Sequence, residues 1–240
     1  VANSGARDAG FLTRVDHVLG GGLASAGWQS DFGRDIDRPR NNSNVVRFYY
    51  PIEDSNRCEA VHRGLKGCGE AGAFARRAGE GEMSPIDRFE RALTAPERRQ
   101  LKGLSSPARI QAFLDGVAYS TDEFYRCPLR VLRERKAHCF DGAVFAAAML
   151  RRIGYPALIL DMLSNGRDDE HLLALFKAEG AWGAVAKSNF VGLRFREPVY
   201  RTLRELAMSY FEQYYNLDRE KTLRGYTGPL DLERFDHLDW

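Results

Sequence analysis

Two side chains in this 240-residue chain have the chemistry and the setting of a nucleophile and its base. Cys139 stands directly before the strongest helical segment, where unpaired amide N–H groups and the positive end of the helix dipole favour thiolate. Its backbone N–H, at a helix start, can donate to the oxyanion formed when a thiolate attacks a carbonyl. Such a thiol needs a base held beside it. His171 opens the apolar run His171-Leu172-Leu173-Ala174-Leu175-Phe176, preceded by the acidic turn Asp168-Asp169-Glu170, and an imidazole at the start of a strand is rigidly aimed. Taken alone, Cys139 reads as a small apolar cap residue and His171 as a satisfied core histidine. Together and in this order they describe acyl transfer.

A third group should hold the imidazole. The His171 run, the turn Lys177 to Ala181 and the run Trp182 to Ala186 form an antiparallel hairpin. Pairing Phe176 with Trp182 sets Lys187 opposite His171 and Asn189 diagonally beside it, within side-chain reach. A slip that pairs Phe176 with Ala181 brings Ser188 to that face instead. Asn189 is thus the first candidate for the third catalytic position and Ser188 the second. Cys139 then attacks, His171 takes its proton and returns it to the leaving group, and Asn189 accepts from the far imidazole nitrogen.

The elements that must position these groups are helical before Cys139 and mixed after it. Ser84-Pro85 and Ser106-Pro107 are helix starts, and Pro128 to Arg135 is a third candidate. Cys139 to Ile153 repeats apolar residues at helical spacing, and Gly154 with Pro156 ends it. Strands follow at Ala157 to Leu160, His171 to Phe176 and Trp182 to Ala186, and then an amphipathic helix over Pro198 to Tyr215. Helices, a helix feeding short strands, and helices again give an α+β class. The N-terminal third is rich in Gly and turn residues, with a short helix over Phe11 to Leu19 and a β-like run over Val45 to Tyr50. Residues 1–83 therefore read as an irregular arm or lid and residues 84–240 as the catalytic core.

Composition narrows the function. Hydrophobic residues at 44% and charged residues at 28% are ordinary globular values. A net charge of +2, from 35 Lys and Arg against 33 Asp and Glu, argues against nucleic acid or an anionic membrane as partner. Apolar runs fall well short of the roughly 20 residues of a membrane helix, and the N-terminus lacks a signal-like block. Four cysteines without CxxC spacing point to reduced thiols and a cytoplasmic location.

The stretch Cys139-Phe140-Asp141-Gly142-Ala143, continuing through Met149-Leu150-Arg151-Arg152-Ile153-Gly154-Tyr155-Pro156-Ala157, resembles the transglutaminase-like superfamily. In that family a nucleophilic Cys opens a helix ending in a Leu-Arg, Gly-x-Pro-Ala stretch. His171 at a strand start and Trp182 in the next strand keep the family's order. Gly192-Leu193-Arg194-Phe195-Arg196-Glu197-Pro198-Val199-Tyr200 is similar to a bacterial branch of it. The resemblance, spanning Pro128 to Asn189, implies a papain-like α+β core with the nucleophile helix packed on a small antiparallel sheet. It also implies thioester chemistry without a cofactor, on a peptide or small-molecule amide with water or an amine as acceptor. One departure stands out. The family places an Asp after the His strand, where this chain has Ala186-Lys187-Ser188-Asn189, which leaves a catalytically inactive interaction module as the alternative.

Other residues carry less. Cys58, His62 and Cys68 lack a fourth ligand and a finger spacing for zinc, so no metal is expected, although zinc-dependent hydrolysis there is a third reading. His138 is set aside because chain neighbours do not easily face one another, leaving it a helix-start or supporting residue. Tyr119, Tyr125 and Arg126 are candidates for lining a cleft, with Arg126 or Arg130 offered to a substrate carboxylate or lying on a solvated helix face. Tyr210, Tyr214 and Tyr215 have core spacing, and Gly20-Gly21-Gly22 has no strand before it to make a nucleotide loop.

Overall fold

The structure is a computed structural model that describes residues 83–238 and residue 240. The helix, the β-like run and the Cys58, His62, Cys68 group expected in the N-terminal arm lie outside the described residues. Helix starts are set by local chemistry. Ser84 Oγ accepts the Asp87 amide at 3.2 Å with Pro85 at the first turn, opening α1 (Pro85–Ala92). Thr94 and Glu97 form a capping box on α2 (Ala95–Lys102), the Glu97 carboxylate taking the Thr94 amide at 2.6 Å. Ser106 repeats the α1 device on α3 (Pro107–Asp115).

A two-residue strand, β1 (Ala118–Tyr119), pairs in parallel with β2 (Lys136–Ala137), and α4 (Pro128–Glu134) lies between them in sequence. β2 delivers the chain to His138 and then to α5 (Cys139–Arg152), which stops before Gly154 as its sequence requires. The larger sheet contains β3 (Leu158–Ser164), β4 (His171–Ala178), β5 (Ala181–Val185), β6 (Arg196–Tyr200), β7 (Leu223–Tyr226) and β8 (Leu230–Asp231). Its order is β6-β5-β4-β3-β7, with β8 also on β3, and every pairing is antiparallel. The three expected strands are β3 to β5. α5 packs against β4 and β3 and against α3 and α4, so the described chain is a helix layer on an antiparallel sheet. Residues 171–176 are buried without interruption, as their unbroken apolar pattern demands of a strand covered on both faces. Among the described residues no helix is long and apolar enough to cross a membrane.

The helix expected over Pro198 to Tyr215 is a correction. Arg196–Tyr200 is the edge strand β6, α6 is only Leu203–Met208, and a 3-10 turn covers Phe211–Gln213. Two local signals prevail over the helical spacing. Pro198 has no N–H to give and suits an edge strand, while Thr202 and Glu205 form a capping box that starts the helix there, the Thr202 hydroxyl accepting the Glu205 amide at 3.1 Å. Tyr210 and Tyr214 are buried in the core, whereas Tyr215, grouped with them by the same spacing, is exposed.

The seat of α5 is fixed at Gly142. A Cβ there would lie 2.2 Å from Cβ of Lys187, so only a hydrogen fits between the helix and the lysine stem. Lys187 is itself buried, which costs several kcal/mol for an unpaired ammonium. Its Nζ donates to the Leu114 carbonyl at 2.9 Å and to the Val117 carbonyl, at the C-terminal end of α3, where the helix dipole favours a cation. Gly142→Ala is expected to destabilise the chain by about 2–3 kcal/mol through overpacking, read as a fall in thermal or denaturant stability. Gly228→Ala, in open space, should change stability by less than about 0.5 kcal/mol. Equal effects of the two would show that α5 does not approach Lys187 this closely.

Candidate active site

Cys139 and His171 occupy the N-terminus of α5 and the first position of β4, two elements packed on one another. Backbone N–H groups of Leu172, the residue after His171, and of Phe140 act on the thiol in the sense that favours thiolate. The acidic turn before His171 is held in place. Ser164 Oγ donates to the Asp168 carbonyl at 2.7 Å, and the buried Tyr214 hydroxyl donates to the Asp169 carbonyl at 2.6 Å.

The electrostatics of the thiol are the reverse of the sequence expectation. Cys139 is only 3% exposed, and burial pushes its thiol up to about 12, with the carboxylates of Asp141 and Asp169 adding to the effect. The two amide donors at the helix start and at Leu172 act in the opposite direction and do not overcome desolvation. A helix N-terminus lowers a thiol's pKa by a modest dipole term, whereas removal from water acts on the full charge of the thiolate. Cys139 therefore rests as a neutral thiol.

His138 has a larger part than its adjacency to Cys139 suggested. Its Nδ1 lies 3.2 Å from Cys139 Sγ. At the N-cap the backbone is extended while the following residue is already helical, and this bend lets two neighbouring side chains meet. The His138 amide donates to Asp141 Oδ2 at 2.9 Å, and the Tyr119 ring lies 5.4 Å from the imidazole. Asp141 is wholly buried and also accepts the Arg126 amide at 2.8 Å, while burial pushes its carboxyl up to about 6. The sequence signal for this role was present in the adjacency of His138 and Cys139.

The group behind His171 is not the one the hairpin was expected to supply. Glu179 at φ 49 and Gly180 at φ 84 form a two-residue turn of the primed type, which closes the hairpin on the pair Ala178 and Ala181. Phe176 then pairs with Gly183, one residue away from the expected partner Trp182. The ladder ends at the pair Ala174 and Val185, so neither Ser188 nor Asn189 is held by strand pairing opposite His171. Ser188 is buried and its hydroxyl accepts the Phe190 amide at 3.0 Å, whereas Asn189 is exposed. His171 Nε2 instead bonds the Leu193 carbonyl at 2.8 Å. No sequence motif announces a backbone carbonyl. Burial pushes the His171 imidazole down to about 4, partly offset by that bond.

Arg126 is also reassigned. Its side chain is buried and donates to Glu134 at 2.7 Å, to Ser120 at 2.9 Å and to Asp122, so it is committed to the α4 region and not offered to a substrate. Arg130 shares Glu134 at 2.6 Å. The Tyr125 ring lies tilted at 4.6 Å from that of Phe140, one residue beyond the thiol. Among the described residues no group of three His, Cys, Asp or Glu side chains could hold a metal ion. A surface depression lined by Met83, Asp87, Glu90, Arg91 and Arg98 has a volume of about 370 Å³. It lies by the other end of α5, where Arg152 meets Glu90 at 2.5 Å, and takes no part in the site.

No family model matches the chain, and no curated protein matches it. Solved structures similar to it include two of LapG from Legionella pneumophila, each 13% identical. The EGTA-treated form has a TM-score of 0.32 over 49% of this chain and 81% of that one. The other has a TM-score of 0.31 over 55% of this chain and 98% of that one. At this level the likeness carries no inference about chemistry, which rests on the geometry around Cys139 and His171.

A thiol that titrates at about 12 has a thiolate fraction that grows tenfold with each pH unit throughout the neutral range. Alkylation of Cys139 by iodoacetamide in the folded chain, followed by peptide mapping, should therefore rise about tenfold per unit from about pH 7 to about pH 9 without levelling. At neutral pH it should be slower than that of a free model thiol. A plateau below about pH 8 would show a preformed thiolate.

Proposed function

We propose that the chain is a cysteine-dependent amide hydrolase or acyltransferase on a papain-like, transglutaminase-like core, with Cys139 as nucleophile and His171 as general base. The observation that carries this reading is the packing of α5 on β4, elements whose first residues are Cys139 and His171. The Leu193 carbonyl can only accept, so the nitrogen bonded to it, Nε2, carries the imidazole hydrogen. With the ring kept neutral by burial, Nδ1 holds the free lone pair.

Both partners are uncharged at rest, which favours proton transfer in step with attack over a standing ion pair. An amide substrate brings its carbonyl carbon to Sγ. The thiol proton passes to His171 Nδ1 as the carbon–sulfur bond forms, and the oxyanion is met by the Cys139 amide, which has no acceptor within its own helix. The imidazolium gives its proton to the leaving nitrogen, the carbon–nitrogen bond breaks, and an acyl thioester remains on Cys139. Water completes hydrolysis and an amine completes transfer, each attacking the thioester while His171 takes its proton and returns the thiol.

A second reading, a catalytically silent interaction module, is favoured by one observation: the thiol is held at about 12. A base other than His171 is favoured by another, the 3.2 Å contact of His138 Nδ1. The full chain treated with p-nitrophenyl acetate and read by intact mass and peptide mapping separates these. The expected result is an acetyl thioester on Cys139 that is absent in Cys139→Ala and forms at least about 100-fold more slowly in His171→Ala. His138→Ala should cost less than about tenfold. Loss of acylation in His138→Ala but not in His171→Ala would transfer the base role to His138, and equal labelling of wild type and Cys139→Ala would leave the silent module.

A further inference from the structure

Four consecutive backbone carbonyls beside His171 are each claimed by a different donor atom. Arg196 Nη2 donates to the Gly192 carbonyl at 2.7 Å, His171 Nε2 bonds the Leu193 carbonyl at 2.8 Å, the Tyr210 hydroxyl donates to the Arg194 carbonyl at 2.8 Å, and Arg196 Nη1 donates to the Phe195 carbonyl at 3.0 Å. Arg196 is in turn held by Ser209 and Tyr210, at the C-terminal end of α6. Its Nε donates to Ser209 Oγ at 3.0 Å, its Nη2 also reaches the Ser209 carbonyl at 3.1 Å, and its guanidinium lies 3.9 Å over the ring of buried Tyr210. Arg194 fastens the same segment from the other side, to the Ser188 carbonyl and to Asp115, each at 3.0 Å.

A carboxylate can orient an imidazole from a flexible side chain because its charge holds the bond. A neutral carbonyl has only its dipole, so it selects one tautomer only if its peptide plane cannot turn. Immobilising the carbonyls on both sides of Leu193 meets that condition. It uses Arg196 and Tyr210, of which Arg196 and the carbonyl-bearing residues fall in the stretch Gly192-Leu193-Arg194-Phe195-Arg196.

We propose that Arg196, with the Tyr210 hydroxyl, is a positioning residue that locks the Leu193 carbonyl as the orienting group of His171. This rests on His171 being the base, but it concerns the state of the imidazole and is measurable without turnover.

The test is long-range proton–nitrogen NMR at neutral pH on the full chain with nitrogen-15 in its histidines, His171 being assigned by loss of its signals in His171→Gln. The wild type should show the Nε2–H tautomer. In Arg196→Met the Nδ1–H form should rise to at least about a fifth of the population, with a smaller rise in Tyr210→Phe. Arg196→Lys, which can still donate to the Gly192 carbonyl, should reverse at least about half of the change. If Arg196→Met does not fold, Tyr210→Phe decides alone. An unchanged tautomer in the folded variants, or an Nδ1–H wild type, overturns the proposal. Repeating the measurement in Cys139→Ala keeps the outcome independent of whether the thiol turns over any substrate.

Discussion

Gly142 meets the stem of Lys187 so closely that a Cβ would stand 2.2 Å from the lysine Cβ, and the arrangement around Cys139 depends on that approach. A side chain at this position would lift the first turn of α5, which begins at Cys139, off the strand system. The lysine cannot retreat, because its ammonium is fixed between the Leu114 and Val117 carbonyls at the end of α3. One residue pair thus ties together α5, the continuation of β5 and the helix that packs on both. The apolar burial of α5 holds the layers together, with each fully buried aliphatic side chain contributing roughly 1.5–3 kcal/mol, but it does not set the distance between them. Gly142 does.

Burial is the second constraint, and it acts on Cys139 and His171 in the same sense. It disfavours charge, so the thiol is moved up and the imidazole down, and a neutral pair results. The helix start at Cys139 remains important for a different reason. In the proposed reaction the Cys139 amide meets charge only as it develops, and a preorganised dipole acts there without reorganisation. Electrostatic help of this kind does not require a thiolate at rest.

The legible parts of the chain were those governed by neighbours in sequence. Ser84-Pro85, Ser106-Pro107 and the Gly154 stop placed helix ends correctly, because capping and the proline ring act within one turn. The unbroken apolar run after His171 gave β4 for the same reason. The hairpin register differs by one residue from the expected one because Glu179 takes a left-handed turn conformation, and the strand ends at Val185, before either Ser188 or Asn189. The stretch after Pro198 was misread as a long helix because spacing that placed Tyr210 and Tyr214 in the core was extended backward across a strand and a helix cap.

By itself, then, the sequence determined which residues are capable of chemistry and the local elements that carry them: a cysteine opening a helix, a histidine opening a buried strand, and the α+β order around them. These follow from backbone capping, periodicity and side-chain type, which need no distant partner. Only the tertiary structure decided what those residues meet. The protonation of Cys139, the contact of His138, the commitment of Arg126 to Glu134, Ser120 and Asp122, and the Leu193 carbonyl behind His171 all depend on how much water packing removes and on which backbone atoms a fold brings near. A carbonyl is the same in every residue, so no residue type could have named the one that holds the imidazole.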